Sequence, residues 1–544
     1  VLRDLANQRL AIGVGHPVLR FDLAVRGHDR VEPRLLGGLG CGVERRDVAG
    51  DVEGLRVHGG GSRPVECERS INQPTGRLIK LLAKLRRDSG KPWMSGRDRL
   101  AALVFRHRCV LRHNARFPMR ISPMSFRSRF AAVVLGAAVF VSPLCAVAAS
   151  SAWVAAWATA LQPIPDLAAP PPLYRAPDVA GRTVRQIVYP TISGRAARIR
   201  VSNAYGRTPL VVDAATLARA GEGASLAERA IAPVRFGGKA SVTLAPGQEI
   251  ESDPVALDVA AARPYAVSLQ MGPKQRMTVW HRVSNQINYV SSPGDHTNDP
   301  SAAAFRTRFT QYAWVTELAV EADPARASVA AIGDSITDGL RSSLNRNRRW
   351  PDALARRLAA SGSASLGVVN LGISGNRLLS DSACYGTSLA SRFERDALSR
   401  SGVKAVIVLI GINDINFAAM PPRPGLDCDH PHTQVTASSL IDGYRRLIEA
   451  AHRRGVKVFG ATLTPAALPT EREAIRLDVN RWIRSGGAFD GVVDFDAALR
   501  DPARPDVLQR RYDSGDGIHP SDAGYAAMAD AVPIEQLQTA AGGK

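Results

Sequence analysis

From about residue 327 onward the chain alternates short apolar runs with longer amphipathic stretches, and no other feature restricts the fold as strongly. Val329-Ala330-Ala331-Ile332, Gly367-Val368-Val369-Asn370, Ala405 through Ile410, Val456-Lys457-Val458-Phe459 and Gly491-Val492-Val493-Asp494 read as buried parallel strands. A strand covered on both faces is apolar along nearly its whole length. Between them lie helical stretches over 350–360, 389–399 and 438–454, and a fourth opened by Thr470 with Glu473 as its capping box. Five such units predict an α/β fold: a doubly wound, three-layer, flavodoxin-like domain over 326–544 with strand order 2-1-3-4-5.

Upstream, over 149–325, the period changes to two. Ala197-Arg198-Ile199-Arg200-Val201, Ser241-Val242-Thr243-Leu244 and Tyr265-Ala266-Val267-Ser268-Leu269 alternate inward and outward residues, with Gly, Pro, Asn and Asp clusters between them. This predicts a β-sandwich-like accessory domain. Trp153, Trp157, Trp280 and Tyr289 offer either a sugar-stacking platform or core and edge packing, and packing is the expected role because large aromatics dominate core burial.

The formal charge of +20 is concentrated at one end. Residues 1–148 hold 26 Lys and Arg against 12 Asp and Glu, leaving a net +6 for the remainder. Nucleic-acid binding is therefore not expected. Residues 1–123 are Arg-rich without sustained periodicity and are expected to be an upstream non-native or disordered extension. At Met124 a basic segment precedes an apolar run over 131–141, then Pro143 and the small-x-small pattern Ala146-Val147-Ala148. Residues 124–148 thus read as a secretory signal, with Met124 or Met119 as the expected native start and a secreted or periplasmic destination. The run is short of the ~20 apolar residues a spanning helix needs, so no membrane anchor is expected after signal removal. Lipidation at Cys145 is not expected either, because Leu144 precedes it. Cys384 and Cys428 remain downstream, as one disulfide or two thiols.

Chemistry-bearing residues cluster where strands end. After the first strand stands Gly333-Asp334-Ser335-Ile336-Thr337-Asp338-Gly339, a turn that projects a serine at the carboxyl edge of the sheet. After the second comes Gly372-Ile373-Ser374-Gly375-Asn376, and after the third Gly411-Ile412-Asn413-Asp414. With the predicted strand order, Gly375 and Asn413 flank Ser335. The Gly375 N–H, the Asn413 amide and the Ser335 N–H form an expected oxyanion hole. Near the C-terminus, in Asp516-Gly517-Ile518-His519-Pro520, His519 is the expected base for Ser335 and Asp516 its orienting partner. Asp334, Asp338, Asn376 and Asp414 are expected to line the substrate cleft.

These four blocks, in order on the expected elements over about 327–535, resemble the SGNH or GDSL hydrolase family. The stretch 333–339 with Arg349-Trp350-Pro351-Asp352 looks like an exported bacterial subgroup of arylesterases and acylhydrolases, some linked to xylan breakdown. The resemblance implies serine ester hydrolysis through an acyl-enzyme on a small-molecule or polysaccharide ester, with no cofactor and no metal. Short acyl groups, acetyl above all, are the leading substrate. A broad arylesterase or lipase is the alternative within enzymes, and a non-catalytic carbohydrate-binding protein the alternative outside them. No Gly-x-Ser-x-Gly elbow surrounds Ser335 or Ser374. Asp427, Asp429, His430 and His432 crowd one Pro-rich loop, expected to be solvated rather than a metal clamp. The run Arg346, Arg348 and Arg349 is expected to be a solvated face.

Overall fold

Residues 152–361, 366–418 and 428–542 are described by a computed structural model; the extension expected over 1–123, the signal over 124–148 and Asp427 lie outside them. The five apolar runs form one parallel sheet. Its spatial order is Leu366–Gly372, Ala327–Gly333, Val403–Leu409, Lys457–Ala461 and Gly491–Val493. Ala327–Gly333 is second in this order, flanked on both sides, and buried at every position. Its last residue pairs with Gly372 on one side and Leu409 on the other, so three strands end level. The segments that follow them must emerge side by side.

Amphipathic helices cover the sheet. Ala437–His452 is capped by Thr436, whose side chain accepts from the Ser439 N–H, and it buries Leu440, Tyr444, Leu447, Ile448 and Ala451 along one stripe. Trp350–Ala360 buries Trp350, whose ring packs against Phe495 with centroids 5.2 Å apart. Truncating such an indole to alanine costs about 3–5 kcal/mol. The helical stretch expected over 389–399 is an α-turn, Leu389–Phe393, running into a π-turn, Glu394–Leu398.

The expected capping box at Thr470 does not form. Pro469 is the cap of Thr470–Ser485, and Glu473 turns inward to Arg476, which also reaches Asp496 at 2.7 Å. Arg476 is fully buried, and an unpaired guanidinium there would be costly, so the ion pair takes the carboxylate from the cap. Arg349 also departs from expectation. It is buried at the start of its helix and chelated by Asp352 at 2.6 and 3.1 Å, whereas Arg346 and Arg348 are exposed.

The upstream residues form antiparallel sheets. One runs Ala152–Ala158, Val315–Ala322, Ala197–Ser202, Glu249–Glu251. A larger one is built around Arg182–Val188, Tyr265–Met271 and Leu210–Ala220. Both contribute to a single apolar cluster that includes Val154, Ile199, Val184, Leu217 and Leu269. Trp157, Trp280 and Tyr289 are buried, and Arg198 lies 4.2 Å above the Trp153 ring. These aromatics pack; they do not present a stacking platform. Cys384 and Cys428 form a disulfide, with Cα atoms 4.9 Å apart. Among the described residues no helix is long and apolar enough to cross a membrane.

Candidate active site

At Gly333 the strand Ala327–Gly333 ends and the chain enters a four-residue helical turn, Ser335–Asp338. Asp334 caps it by accepting from the Ile336 N–H at 3.0 Å, and left-handed Gly339 closes it. The neighbouring strand runs hard against this turn: a Cβ at Gly372 would lie 2.2 Å from the Asp338 nitrogen. Beyond it, Gly375 has a φ of +85°, and a Cβ there would stand 2.2 Å from the Tyr385 ring. Only glycine meets both conditions. On the other side Asn413 occupies the first turn of Ile412–Phe417, and its Nδ2 donates to the Asn376 carbonyl at 3.0 Å.

The C-terminal block arrives over the same edge. His519 Nε2 lies 2.9 Å from Ser335 Oγ, and its Nδ1 lies 2.8 Å from Asp516 Oδ2. The other Asp516 oxygen accepts the Ile518 and His519 N–H groups at 3.1 and 2.8 Å. Asp513 shapes the loop beneath by accepting from the Gly515 and Gly517 N–H groups. Three contacts dock this loop onto the segment after Ser335: Tyr525 Oη to the Leu340 carbonyl, Ser343 to Asp522, and Arg341 Nε to Asp516 at 3.2 Å. Partial burial works to raise the Asp516 carboxyl, but hydrogen bonds from the His519 N–H and imidazole, and then from Ile518, outweigh it. They hold the group well below the usual carboxylate range. A hydroxyl, an imidazole and a carboxylate held toward its ionised form thus stand in series, an arrangement in which the ring can accept the hydroxyl proton while its cation is stabilised.

Asp334, Asp338, Asn376 and Asp414, expected to line a substrate cleft, lie below the surface, and Asp338 lines a small cavity with Trp157, His281 and Arg349. All four are buried, and their side chains brace the loops from below. Asp414 accepts from the Leu378 and Leu379 N–H groups; Asn376 donates to the Tyr385 and Thr387 carbonyls. Burial pushes the Asp334 carboxyl up to about 7, against the pull of the Ile336 N–H, with the Asp414 and Asp338 charges adding to the rise. Burial likewise lifts Asp414 to about 6, opposed by its backbone donors. A short carboxylate beside a glycine is read equally well as lining or bracket, and burial decides for the bracket.

Sequence reasoning missed Arg392, Arg341 and His281. Arg392 is fully buried and spans the ends of two strands, donating to the Gly333 and Leu371 carbonyls and to Asn376 Oδ1, each at 2.9 Å. Its one signal was an arginine on the apolar side of Leu389–Phe393. His281, from the β-rich region, lies 2.9 Å from Asp338, a contact with no local signature.

In the Pro-rich loop, ligating atoms of Asp429, His430 and His432 lie within 4.8 Å of one another. Asp429 is buried rather than solvated: His432 Nε2 lies 3.1 Å from its carboxylate, and Arg377 donates to its carbonyl.

The family model described as GDSL-like lipase/acylhydrolase matches residues 331–527. Residues 331–527 are a GDSL-like lipase/acylhydrolase domain. This domain makes the chain a carboxylic ester hydrolase. No curated protein matches the chain. Solved structures similar to it include a GDSL-like lipase from Bacteroides thetaiotaomicron VPI-5482, at 18% identity over 39% of this chain and 88% of the other, with a TM-score of 0.28. A catalytic mutant of an acetylxylan esterase from Geobacillus stearothermophilus is 21% identical over 40% of this chain and 95% of the other, with a TM-score of 0.29.

Proposed function

We propose that the chain is an exported serine esterase that cleaves short O-acyl esters, acetyl above all, through an acyl-enzyme. Ser335 Oγ attacks the ester carbonyl as His519 Nε2 takes its proton; Asp516 holds the ring through Nδ1 and balances the imidazolium. The tetrahedral oxyanion is met by the N–H groups of Ser335 and Gly375 and by the Asn413 amide. His519 then gives the proton to the departing alcohol, and water, activated by the same ring, releases the acid. The observation that carries this reading is the hydrogen-bonded series from Ser335 through His519 to Asp516, at 2.9 and 2.8 Å.

Export is supported by the signal pattern over 124–148 and by the Cys384–Cys428 disulfide, a bond that persists in oxidising compartments. Acyl length and a polysaccharide carrier are supported by the subgroup resemblance of residues 333–339 and 349–352. The test is an ester panel, short and long aryl esters together with acetylated xylan, run on wild type and Ser335→Ala. Loss of hydrolysis in a folded Ser335→Ala is expected, with a preference for short chains. A Ser335→Ala variant as active as wild type removes the nucleophile, and a preference for long chains removes the acetylesterase reading in favour of a lipase.

A further inference from the structure

Ser374, the residue before the proposed donor Gly375, is gripped at all three of its polar atoms. Its N–H and Oγ donate to Asp338 Oδ2 at 2.9 and 2.6 Å, and its carbonyl accepts from Arg282 Nη2 at 3.3 Å. The other Asp338 oxygen lies 2.9 Å from His281 Nε2. His281 and Arg282 come from the β-rich region, directly after the short strand Val279–Trp280, outside the GDSL-like domain. We propose that His281 and Arg282 are positioning residues that aim the Gly375 N–H at the oxyanion, an inference that rests on the reading of Gly375 as an oxyanion donor.

Peptide geometry carries the argument. The Ser374 carbonyl and the Gly375 N–H belong to one planar unit and, in a trans bond, point in opposite directions. Among the described residues the one cis peptide is His430–Pro431, so the unit before Gly375 is trans. A donor that fixes the carbonyl therefore fixes where the N–H points. Gly375 has no side chain to brace itself, and its left-handed backbone leaves that peptide free to tilt unless its neighbours hold it.

Arg282 holds the carbonyl of the unit directly, and His281 acts one residue back, through the Asp338 carboxylate on the Ser374 N–H and hydroxyl. Arg282 is itself placed by stacking, with its guanidinium 4.9 Å from the Tyr174 ring and 5.8 Å from Tyr385, the ring that packs against Gly375. His281 is buried, and each ring nitrogen faces oxygen: Nδ1 lies 3.0 Å from the Ala160 carbonyl, and Nε2 lies 2.9 Å from both the Val283 carbonyl and Asp338. These contacts fix the plane of the ring and set its Nε2 edge against the carboxylate that holds Ser374. Three residues after Arg282, Asn285 donates to the Gly339 carbonyl and to Ser342 Oγ. The same segment thus also touches the turn that follows Ser335.

An oxyanion donor acts in the transition state and contributes little to ground-state binding, so misaiming it lowers kcat and leaves KM nearly unchanged. The test uses the full chain and a short aryl ester. Arg282→Ala and His281→Ala are each expected to lose about tenfold to a hundredfold in kcat, the scale of a small misplacement, with KM within about twofold. Arg282→Lys and His281→Gln, which each keep a donor, are expected to recover part of the loss. The kcat effects of His281→Ala and Ser374→Ala are expected to be non-additive, since both act through Asp338. Should buried His281→Ala fail to fold, half-buried Arg282→Ala decides. A folded Arg282→Ala with wild-type kcat, or one whose loss lies in KM and is not relieved by lysine, overturns the proposal. The Ser335→Ala control separates the levels. An active Ser335→Ala removes the underlying esterase assignment, whereas an inactive one beside a wild-type Arg282→Ala removes the positioning role alone.

Discussion

Asp516→Asn is an isosteric change whose consequence follows from the way its two oxygens are used. Oδ1 accepts two backbone N–H groups, from Ile518 and His519. An asparagine would keep its carbonyl oxygen there, because an NH2 group in that place would face two donors. The NH2 is then forced into the Oδ2 position, 2.8 Å from His519 Nδ1. As a donor it makes Nδ1 an acceptor, and the ring proton moves to Nε2, the atom 2.9 Å from Ser335 Oγ. A protonated Nε2 cannot take the serine proton. The expected loss is about 10³- to 10⁴-fold in kcat, the size of a tautomer held the wrong way round. Asp516→Ala also loses the carboxylate but imposes no tautomer, so the asparagine variant is expected to be no more active than the alanine one. Initial rates on a short aryl ester at neutral pH, with circular dichroism to verify folding, make the comparison. An asparagine variant within tenfold of wild type, or well above alanine, would refute the assignment of these atoms.

Three further outcomes are expected. Asn413→Ala removes one proposed oxyanion donor and should cost roughly a hundredfold or more in kcat while the fold persists; full activity in steady-state assays would show that the amide is not used. Asp334 has a carboxyl raised from 3.8 to about 7 in the folded chain, so it favours the folded state fully below about pH 4, and that contribution is lost as pH rises through 7. Asp334→Asn should therefore gain in unfolding free energy relative to wild type as pH goes from 4 to 7, by up to a few kcal/mol, and then level off, as denaturant unfolding across that range would measure; a gap that does not change with pH speaks against the raised value. Replacing Cys384 and Cys428 by serine opens a link between residues 44 apart in sequence, which should cost about 4 kcal/mol in the chain-entropy account. Denaturant unfolding would measure it, and a loss below about 1 kcal/mol would mean that the unfolded chain is compact without the link.

What could be read from the sequence was whatever is repeated or contiguous. The five strands announced themselves because burial on both faces leaves apolar runs such as 405–410; Ser335, Gly375 and Asn413 because each follows a strand within a few positions; and Asp516 and His519 because they form a contiguous Asp-x-x-His block. What could not be read depends on partners distant along the chain. Glu473 has the spacing of a cap, but the buried Arg476 claims it. His281 meets Asp338 57 positions away, and Arg282 meets Ser374 92 away. Contacts of this kind have no period and no motif, since a single polar side chain reaching one distant group leaves nothing repeated for a sequence to display.

The site also shows why its supports are polar. Apolar packing is nearly isotropic: it brings loops together but does not set the direction of an N–H bond. Beneath Ser335 the chain instead buries Asp334, Asp338 and Asp414, each accepting from the backbone of a different stretch: Ile336, Ser374, and Leu378 with Leu379. Burying three carboxyl groups is unfavourable, as the rise that burial causes at Asp334 and Asp414 shows. Hydrogen bonds are directional, and each carboxylate fixes the plane of a peptide rather than the mere position of a loop. Arg392, buried, supplies donors among these acceptors, and buried His281 meets Asp338. Site geometry should accordingly respond more to these hidden polar groups than to exposed Arg341, whose ion pair with Asp516 is screened by water even though it lies nearer the proposed reacting atoms.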